Sequence, residues 1–253
     1  MEKASDPDIA PESDLRRLDR RIWVVTTASL PWRTGTSVNP LARALYLTRG
    51  RPKGFVTLLV PWLPSQDEHT KLFGEDCTFD TEEDQEKWIR QYCTERVHCE
   101  SECQNLRIRF YPATYNDLFG SIFAKVDICA LIPDEEADVA ILEEPEHLTW
   151  FRVPPENDET VEAGVQEKAE LGWAVKFNHV VGILHTNYSA YMDQYGMGAS
   201  FIAASALSAL SSMVVKAYCH RLIRLSATLP ELDKTKEITC NVHGVRTEFF
   251  EPP

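Results

Sequence analysis

Seven short apolar runs, mostly of β-branched residues and each bounded by polar residues or proline, recur along the chain. They are Ile22–Thr27, Phe55–Pro61, Leu106–Phe110, Val139–Leu142, Val180–His185, Leu222–Ser226 and Ile238–Val242. Runs of this length and composition read as strands. Helix-like stretches separate them: Leu41–Tyr46, Thr81–Glu95, and Tyr188–Asp193 continuing into a small-residue segment, with a turn or short helix at Asn116–Ala124. Thr81 precedes Glu82, Glu83 and Asp84, a cap followed by early carboxylates that complement a helix dipole. Continuous apolar strands alternating with helices imply an α/β fold: a Rossmann-like, mostly parallel sheet with helices on both faces. At 253 residues the chain can bury roughly 70–75% of its unfolded surface as one large domain or two small ones.

The punctuation sets the boundaries. Residues 1–19 read as a disordered lead-in to a domain over 20–253, and the Pro-Pro-Glu-Asn-Asp-Glu stretch marks 152–177 as a long surface loop or insertion. Gly196–Tyr218 is long enough to span a membrane, but its apolar residues are small and four serines interrupt them after Phe201. A spanning helix needs about twenty predominantly apolar residues, so a buried helix is favoured, with a shallow interfacial helix left open.

A net charge of −13 argues against nucleic acid and against simple attraction to anionic lipid. Two local basic clusters, Arg16, Arg17, Arg20 and Arg21, then Arg43, Arg49, Arg51 and Lys53, are either solvated faces or contact surfaces. Seven cysteines without regular spacing suit a reducing compartment. Cys93, His98, Cys99 and Cys103 invite a zinc reading, but no CxxC pair is present and free thiols beside a helix are the simpler account. The first twenty residues lack the apolar core of a secretory signal and the look of a transit peptide.

Several strand ends carry unusual chemistry. The first strand runs into Thr34-Gly35-Thr36-Ser37, a small-residue loop that opens a helix, as phosphate- and sugar-binding loops do. The strand at 139–142 runs into Glu143, Glu144, Glu146 and His147. Carboxylates this close raise one another's pKa, which suits acid–base work or hydrogen bonds to sugar hydroxyls; a solvated loop before a helix is the alternative. The strand at 180–185 closes on His185, Thr186, Asn187 and Tyr188, a polar run that is either ligand-facing or structural.

The segments 27–40, 132–150, 185–188, 218–227 and 240–245 together resemble the digalactosyldiacylglycerol synthases, which are retaining GT-B glycosyltransferases of family 4 in plants and algae. The similarity runs in order over residues 20–250. It implies the N-terminal half of a GT-B fold and transfer of galactose from UDP-galactose to monogalactosyldiacylglycerol. It also implies peripheral membrane contact at the chloroplast outer envelope, with no cofactor, metal or nucleic acid. Residue by residue, it implies that Thr34, Gly35, Thr36 and Ser37 approach the acceptor sugar and donor phosphate. Glu143, Glu144 and Pro145 fall where many relatives carry His-Glu-Pro; Glu143, Glu144 and His185 become the catalytic candidates. Glu146, His147, Thr186 and Asn187 become substrate-binding candidates, with His243 and Gly244 at the crossover into a second domain. The C-terminal donor-binding domain of a GT-B enzyme is not expected within this chain. The resemblance therefore leaves two readings: the acceptor half of a galactosyltransferase, or a non-catalytic galactolipid- or membrane-binding module derived from it.

Overall fold

The computed structural model describes residues 14–117, 120–150, 172–185, 213, 215–229 and 231–240. Within them lies one sheet in the order β4-β3-β2-β1-β5-β6-β7-β8. Its strands are β1 (Ile22–Val25), β2 (Val56–Trp62), β3 (Arg107–Asn116), β4 (Ser121–Ala124), β5 (Val139–Glu143), β6 (His179–Leu184), β7 (Arg221–Arg224) and β8 (Glu237–Thr239). Every pairing is parallel except β3 with β4. This is the Rossmann-like α/β architecture that the apolar runs imply.

Alternation along β1 explains the layers. Ile22 and Val24 point into one apolar cluster, Trp23 and Val25 into another, because successive strand residues face opposite sides. The first cluster receives Leu41, Ala44 and Leu45 from helix α1 (Gly35–Thr48), whose i, i+3, i+4 spacing builds one apolar stripe. Ile89 of α3 (Glu82–Tyr92) and Cys103 of α4 (Glu100–Asn105) fill the same side. The opposite side takes Trp173 of a short helix at Gly172–Lys176, Phe177, Val215 and Cys219. Both faces of the sheet are thus covered, as buried parallel strands require.

Several expectations need correction. Asn116–Ala124 is not a helix but a turn at the tip of a hairpin: β3 extends to Asn116, Asp117 and Gly120 are turn residues, and β4 pairs back on β3 antiparallel. The helix read from Leu41 starts at Gly35, and Pro40 lies inside it. Helix α2 (Gln66–Phe73) arises from a segment too polar to show a periodic stripe, burying only His69. The basic clusters are not wholly solvated. Arg20 is buried and donates to Asp138 Oδ1 at 2.6 Å, and Arg51 is buried against backbone carbonyls. Gly172–Lys176, inside the span read as a surface loop, is helical and buries Trp173; residues 152–171 lie outside the described residues, as does Gly196–Ser212 of the small-residue segment. The Thr81 cap stands, its side chain accepting from the Asp84 amide at 3.2 Å. Cys93 and Cys103 are buried in the core, no three His, Cys, Asp or Glu side chains among the described residues are grouped to hold a metal ion, and His98 is an exposed helix cap at φ 54°.

Candidate functional site

The strand order reverses beside β1. The chain moves outward from β1 through β2 to β3 on one side, and from β5 through β6 to β7 on the other. Ligands of open α/β sheets bind outside the carboxyl ends of strands at such a switch point. Here the residues that leave β1 and β5 enclose a crevice of about 440 Å³. Thr27 from the first and Glu144 from the second meet across it, the Thr27 hydroxyl donating to Glu144 Oε2 at 2.9 Å.

The β1 side is a braced loop. Pro40 has no N–H to offer Thr36, four residues back, so that carbonyl is released from the helical ladder. The Thr26 hydroxyl donates to it, tying the first turn of α1 to the end of β1. From the sheet, the Tyr111 hydroxyl donates to the Thr26 carbonyl at 2.8 Å; from α3, Gln85 donates to the Leu30 carbonyl at 2.7 Å. Ser37 is buried in this brace, with its hydroxyl on the Trp32 and Thr34 carbonyls and accepting from the Thr34 amide at 3.2 Å. It therefore shapes the loop from beneath, whereas Thr34, Gly35 and Thr36 line the crevice with Trp32. The opening amides of a helix lack intrahelical acceptors and attract anionic or hydroxyl oxygen. Tyr111→Phe, which removes one buried bond from the brace, is expected to lower unfolding free energy by about 1–3 kcal/mol. Urea denaturation checks this, and an unchanged midpoint would mean that the loop does not depend on that bond.

On the β5 side the carboxylate cluster is buried, which overturns the solvated-loop alternative: Glu143 is 0% exposed, Glu144 and Glu146 4%, and His147 8%. Glu144 turns the chain sharply from strand to helix with φ 59°, a conformation that costs a non-glycine residue of order 1–3 kcal/mol. Helix α5 (Pro145–Trp150) follows at once and carries Glu146 and His147. Burial, reinforced by the neighbouring Glu144 charge, pushes Glu146 up to about 8, so it is mostly protonated at neutral pH. Burial also lowers His147 below its ordinary value, against the opposing pull of Glu144. Its Nε2 lies 3.0 Å from the Ile122 carbonyl, which can only accept, so Nε2 holds the proton. That carbonyl belongs to the β3–β4 hairpin, whose Gly120, Ser121 and Ile122 form another wall.

His185, just beyond β6, completes the crevice. Its Nε2 is 2.5 Å from Glu143 Oε2, while Arg43 of α1 donates to Glu143 Oε1 at 2.7 Å. Glu143 thus supports His185 from behind, and does not itself line the crevice. Of the residues singled out from sequence, Thr34, Gly35, Thr36, Glu144, His147 and His185 converge on one cavity. Ser37, Glu143 and Glu146 lie in the layer beneath or beside it, while Thr186, Asn187, His243 and Gly244 lie outside the described residues. Trp32, Asn39 and Ser121 also line the cavity without having been singled out. Only the pattern of loop and strand ends could have signalled them. Among the described residues no lysine or arginine lines the crevice, and no three His, Cys, Asp or Glu side chains gather as a metal centre would need.

Hydroxyls, imidazoles and one carboxylate around a tryptophan-edged space, with no basic side chain among its described lining residues, suit a neutral polyhydroxylated ligand. Fold and site together define a Rossmann-like α/β domain with a polar crevice at its switch point, consistent with half of a GT-B fold. The chain is 44% identical over 234 residues to digalactosyldiacylglycerol synthase 2, chloroplastic, of Arabidopsis thaliana, covering 92% of this chain and 44% of that protein. It is 41% identical over 233 residues to digalactosyldiacylglycerol synthase 1, chloroplastic, of Glycine max, covering 92% of this chain and 27% of that protein. Synthase 2 of Lotus japonicus gives 42% over 232 residues, 92% of this chain and 45% of that protein. The chain is therefore homologous to digalactosyldiacylglycerol synthases over nearly all of its own length, and spans between about a quarter and a half of theirs. No protein-family profile matches it.

Proposed function

We propose that this chain is the acceptor-side, N-terminal half of a galactolipid galactosyltransferase, a domain over residues 20–253 that works with a separate donor-binding domain. The reaction is transfer of galactose from UDP-galactose to monogalactosyldiacylglycerol, giving digalactosyldiacylglycerol. The observation that carries this reading is the crevice itself. It lies at the switch point, holds Glu144, His147 and His185 together, and has no lysine or arginine among its described lining residues. A galactose head group is uncharged and rich in hydroxyls; a wall of acceptors and small hydroxyls matches it. The homology to digalactosyldiacylglycerol synthases supports the same substrate class.

In this reading Glu144 and His147 hold hydroxyls of the sugar, and His185 lies against the reacting head group with Glu143 behind it. The first turn of α1 at Thr34–Thr36 approaches the donor diphosphate, whose remaining charge the second domain clamps. Thr186, Asn187, His243 and Gly244 extend the cleft, by resemblance. Attack of the acceptor hydroxyl on the face from which UDP departs gives retention, and the reaction needs no metal or organic cofactor. The protein works peripherally at the chloroplast outer envelope, a reading supported as far as the organelle by the chloroplastic names of its relatives.

The test is a chimera in which this chain replaces the matching segment of the Glycine max synthase, assayed with labelled UDP-galactose and monogalactosyldiacylglycerol. The chimera is expected to form the digalactosyl lipid, and Glu144→Gln within it to lower the rate by about ten- to a hundredfold. A folded chimera without transfer, beside an active parent, would remove the acceptor-half reading and leave the non-catalytic module.

A further inference from the structure

The buried chain Arg43–Glu143–His185 links a helix, a strand and the crevice, and its parts are far apart in sequence. Glu143 ends β5 with no exposed surface, a position where a carboxylate survives only if both oxygens are satisfied. Each oxygen has its own partner: Oε1 accepts from Arg43 Nε at 2.7 Å, and Oε2 faces His185 Nε2 at 2.5 Å. A guanidinium is charged at every working pH and has no acceptor to offer, so Arg43 holds the carboxylate as an acceptor. A carboxylate oxygen in that state takes a proton donor, so the proton on His185 resides at Nε2. The ring then has one nitrogen left. In the neutral ring Nδ1 then carries the lone pair, and among the described residues it has no hydrogen-bond partner. His185 lines the crevice beside Glu144.

We propose that Arg43 and Glu143 are positioning residues that lock His185 in the Nε2–H tautomer, presenting Nδ1 to the crevice as a fixed hydrogen-bond acceptor for a ligand hydroxyl. That the hydroxyl belongs to a galactosyl head group rests on the reading under Proposed function; the tautomer does not. The arrangement fixes direction as well as position. A freely exchanging neutral imidazole presents either a donor or an acceptor, whereas this one, while neutral, presents only an acceptor. A sugar hydroxyl then donates to Nδ1 and keeps its oxygen lone pairs free for other contacts.

Glu143→Gln separates this device from simple packing. The amide keeps the size of the side chain and gives Arg43 an oxygen acceptor at Oε1. It then turns its NH2 towards His185, so Nε2 must accept and the imidazole proton moves to Nδ1. Loss of the correct tautomer through an acid-to-amide change is known to disable a supported histidine elsewhere.

The experiment is nitrogen-15 NMR of the imidazoles in the 253-residue chain, above the usual histidine titration range, with His185 assigned by its absence in His185→Gln. Galactosylglycerol, the water-soluble head group, is titrated in parallel. In the unaltered chain the unprotonated nitrogen is expected to be Nδ1; in Glu143→Gln it is expected to be Nε2, with affinity for galactosylglycerol about tenfold weaker. Arg43→Lys, which retains the charge but not the directed Nε–H, is expected to keep the original tautomer. A proton on Nδ1 in the unaltered chain, or the same tautomer in folded Glu143→Gln, overturns the proposal. An inverted tautomer with undiminished galactosylglycerol binding also overturns it, because Nδ1 would not then touch the ligand. The predicted tautomers with no galactosylglycerol binding in any variant uphold the lock and count against the sugar reading alone.

Discussion

Glu146→Gln is expected to stabilise the folded chain at neutral and alkaline pH and to flatten its stability against pH. The Glu146 carboxyl is buried on α5 beside Glu144, and its folded-state value rises from 4.5 to about 8. The folded chain therefore retains a proton that the unfolded chain releases once pH exceeds the ordinary glutamate range. Wherever the folded state binds more protons, stability falls as pH rises. Glu146 thus favours folding most below about pH 4.5, and that contribution drains away as pH rises towards about 8. Across the window the loss is on the order of 5 kcal/mol, a large fraction of a domain's net stability. Glutamine has the same shape and cannot ionise, so it removes the loss.

His147 acts in the opposite sense. Its lowered value means that the unfolded chain binds the extra proton, so stability present above about pH 6.5 is lost as pH falls. Denaturant midpoints measured from mildly acidic to alkaline pH check both signs. The unaltered chain should peak between the two effects, whereas Glu146→Gln should keep only the acid-side decline. A parallel curve for the variant would mean that Glu146 is solvated and ionised.

The carboxylate cluster also marks where sequence reading ran out. Short apolar runs placed seven of the eight strands among the described residues because each is a local signal carried by its own residues. β4 escaped because Ser121–Ala124 is four residues long and acquires its meaning only by pairing with the far end of β3. That pairing has consequences beyond the fold, since it brings the Ile122 carbonyl to His147. Helix α1 begins six residues before the Leu41 that its apolar pattern shows, with Pro40 inside it; the Thr26 hydroxyl, fourteen residues before that proline, takes up the Thr36 carbonyl that Pro40 leaves without a donor. The identity of Glu144 and His185 as strand-end residues was legible, but their convergence was not. Whether Glu143 was solvated or buried depended on Arg43, a hundred residues upstream, and on His185, forty-two residues downstream. Residue types and spacing can nominate a polar cluster; only long-range register decides which members face a ligand and which hold the others.

Gly182→Val is expected to lower stability by about 3 kcal/mol and to loosen the crevice in the same step. Gly182 lies within β6, at the register position opposite Leu142 on one side and Leu222 on the other. Its backbone is ordinary strand, so the glycine is there for space rather than for an unusual φ. A Cβ at this position would sit 2.8 Å from Leu222 Cδ2, 2.8 Å from Pro145 Cγ and 2.9 Å from Cys219 Sγ. The leucine methyl can swing aside; the proline ring cannot, because it opens α5 immediately after the strained Glu144. An added side chain therefore pushes α5 away from the sheet. Movement there strains two contacts that shape the crevice: Thr27 to Glu144, and His147 to the Ile122 carbonyl. Gly182→Ala, with one methyl, should cost about 1–3 kcal/mol, and valine should reach or exceed the top of that range. Urea denaturation gives the stability, and galactosylglycerol titration of the folded fraction gives the crevice. Valine at no cost would mean that α5 does not rest on β6 here. A stability loss with undiminished affinity would mean that α5 yields without disturbing Glu144, and that the strand-end turn is stiffer than the helix it begins.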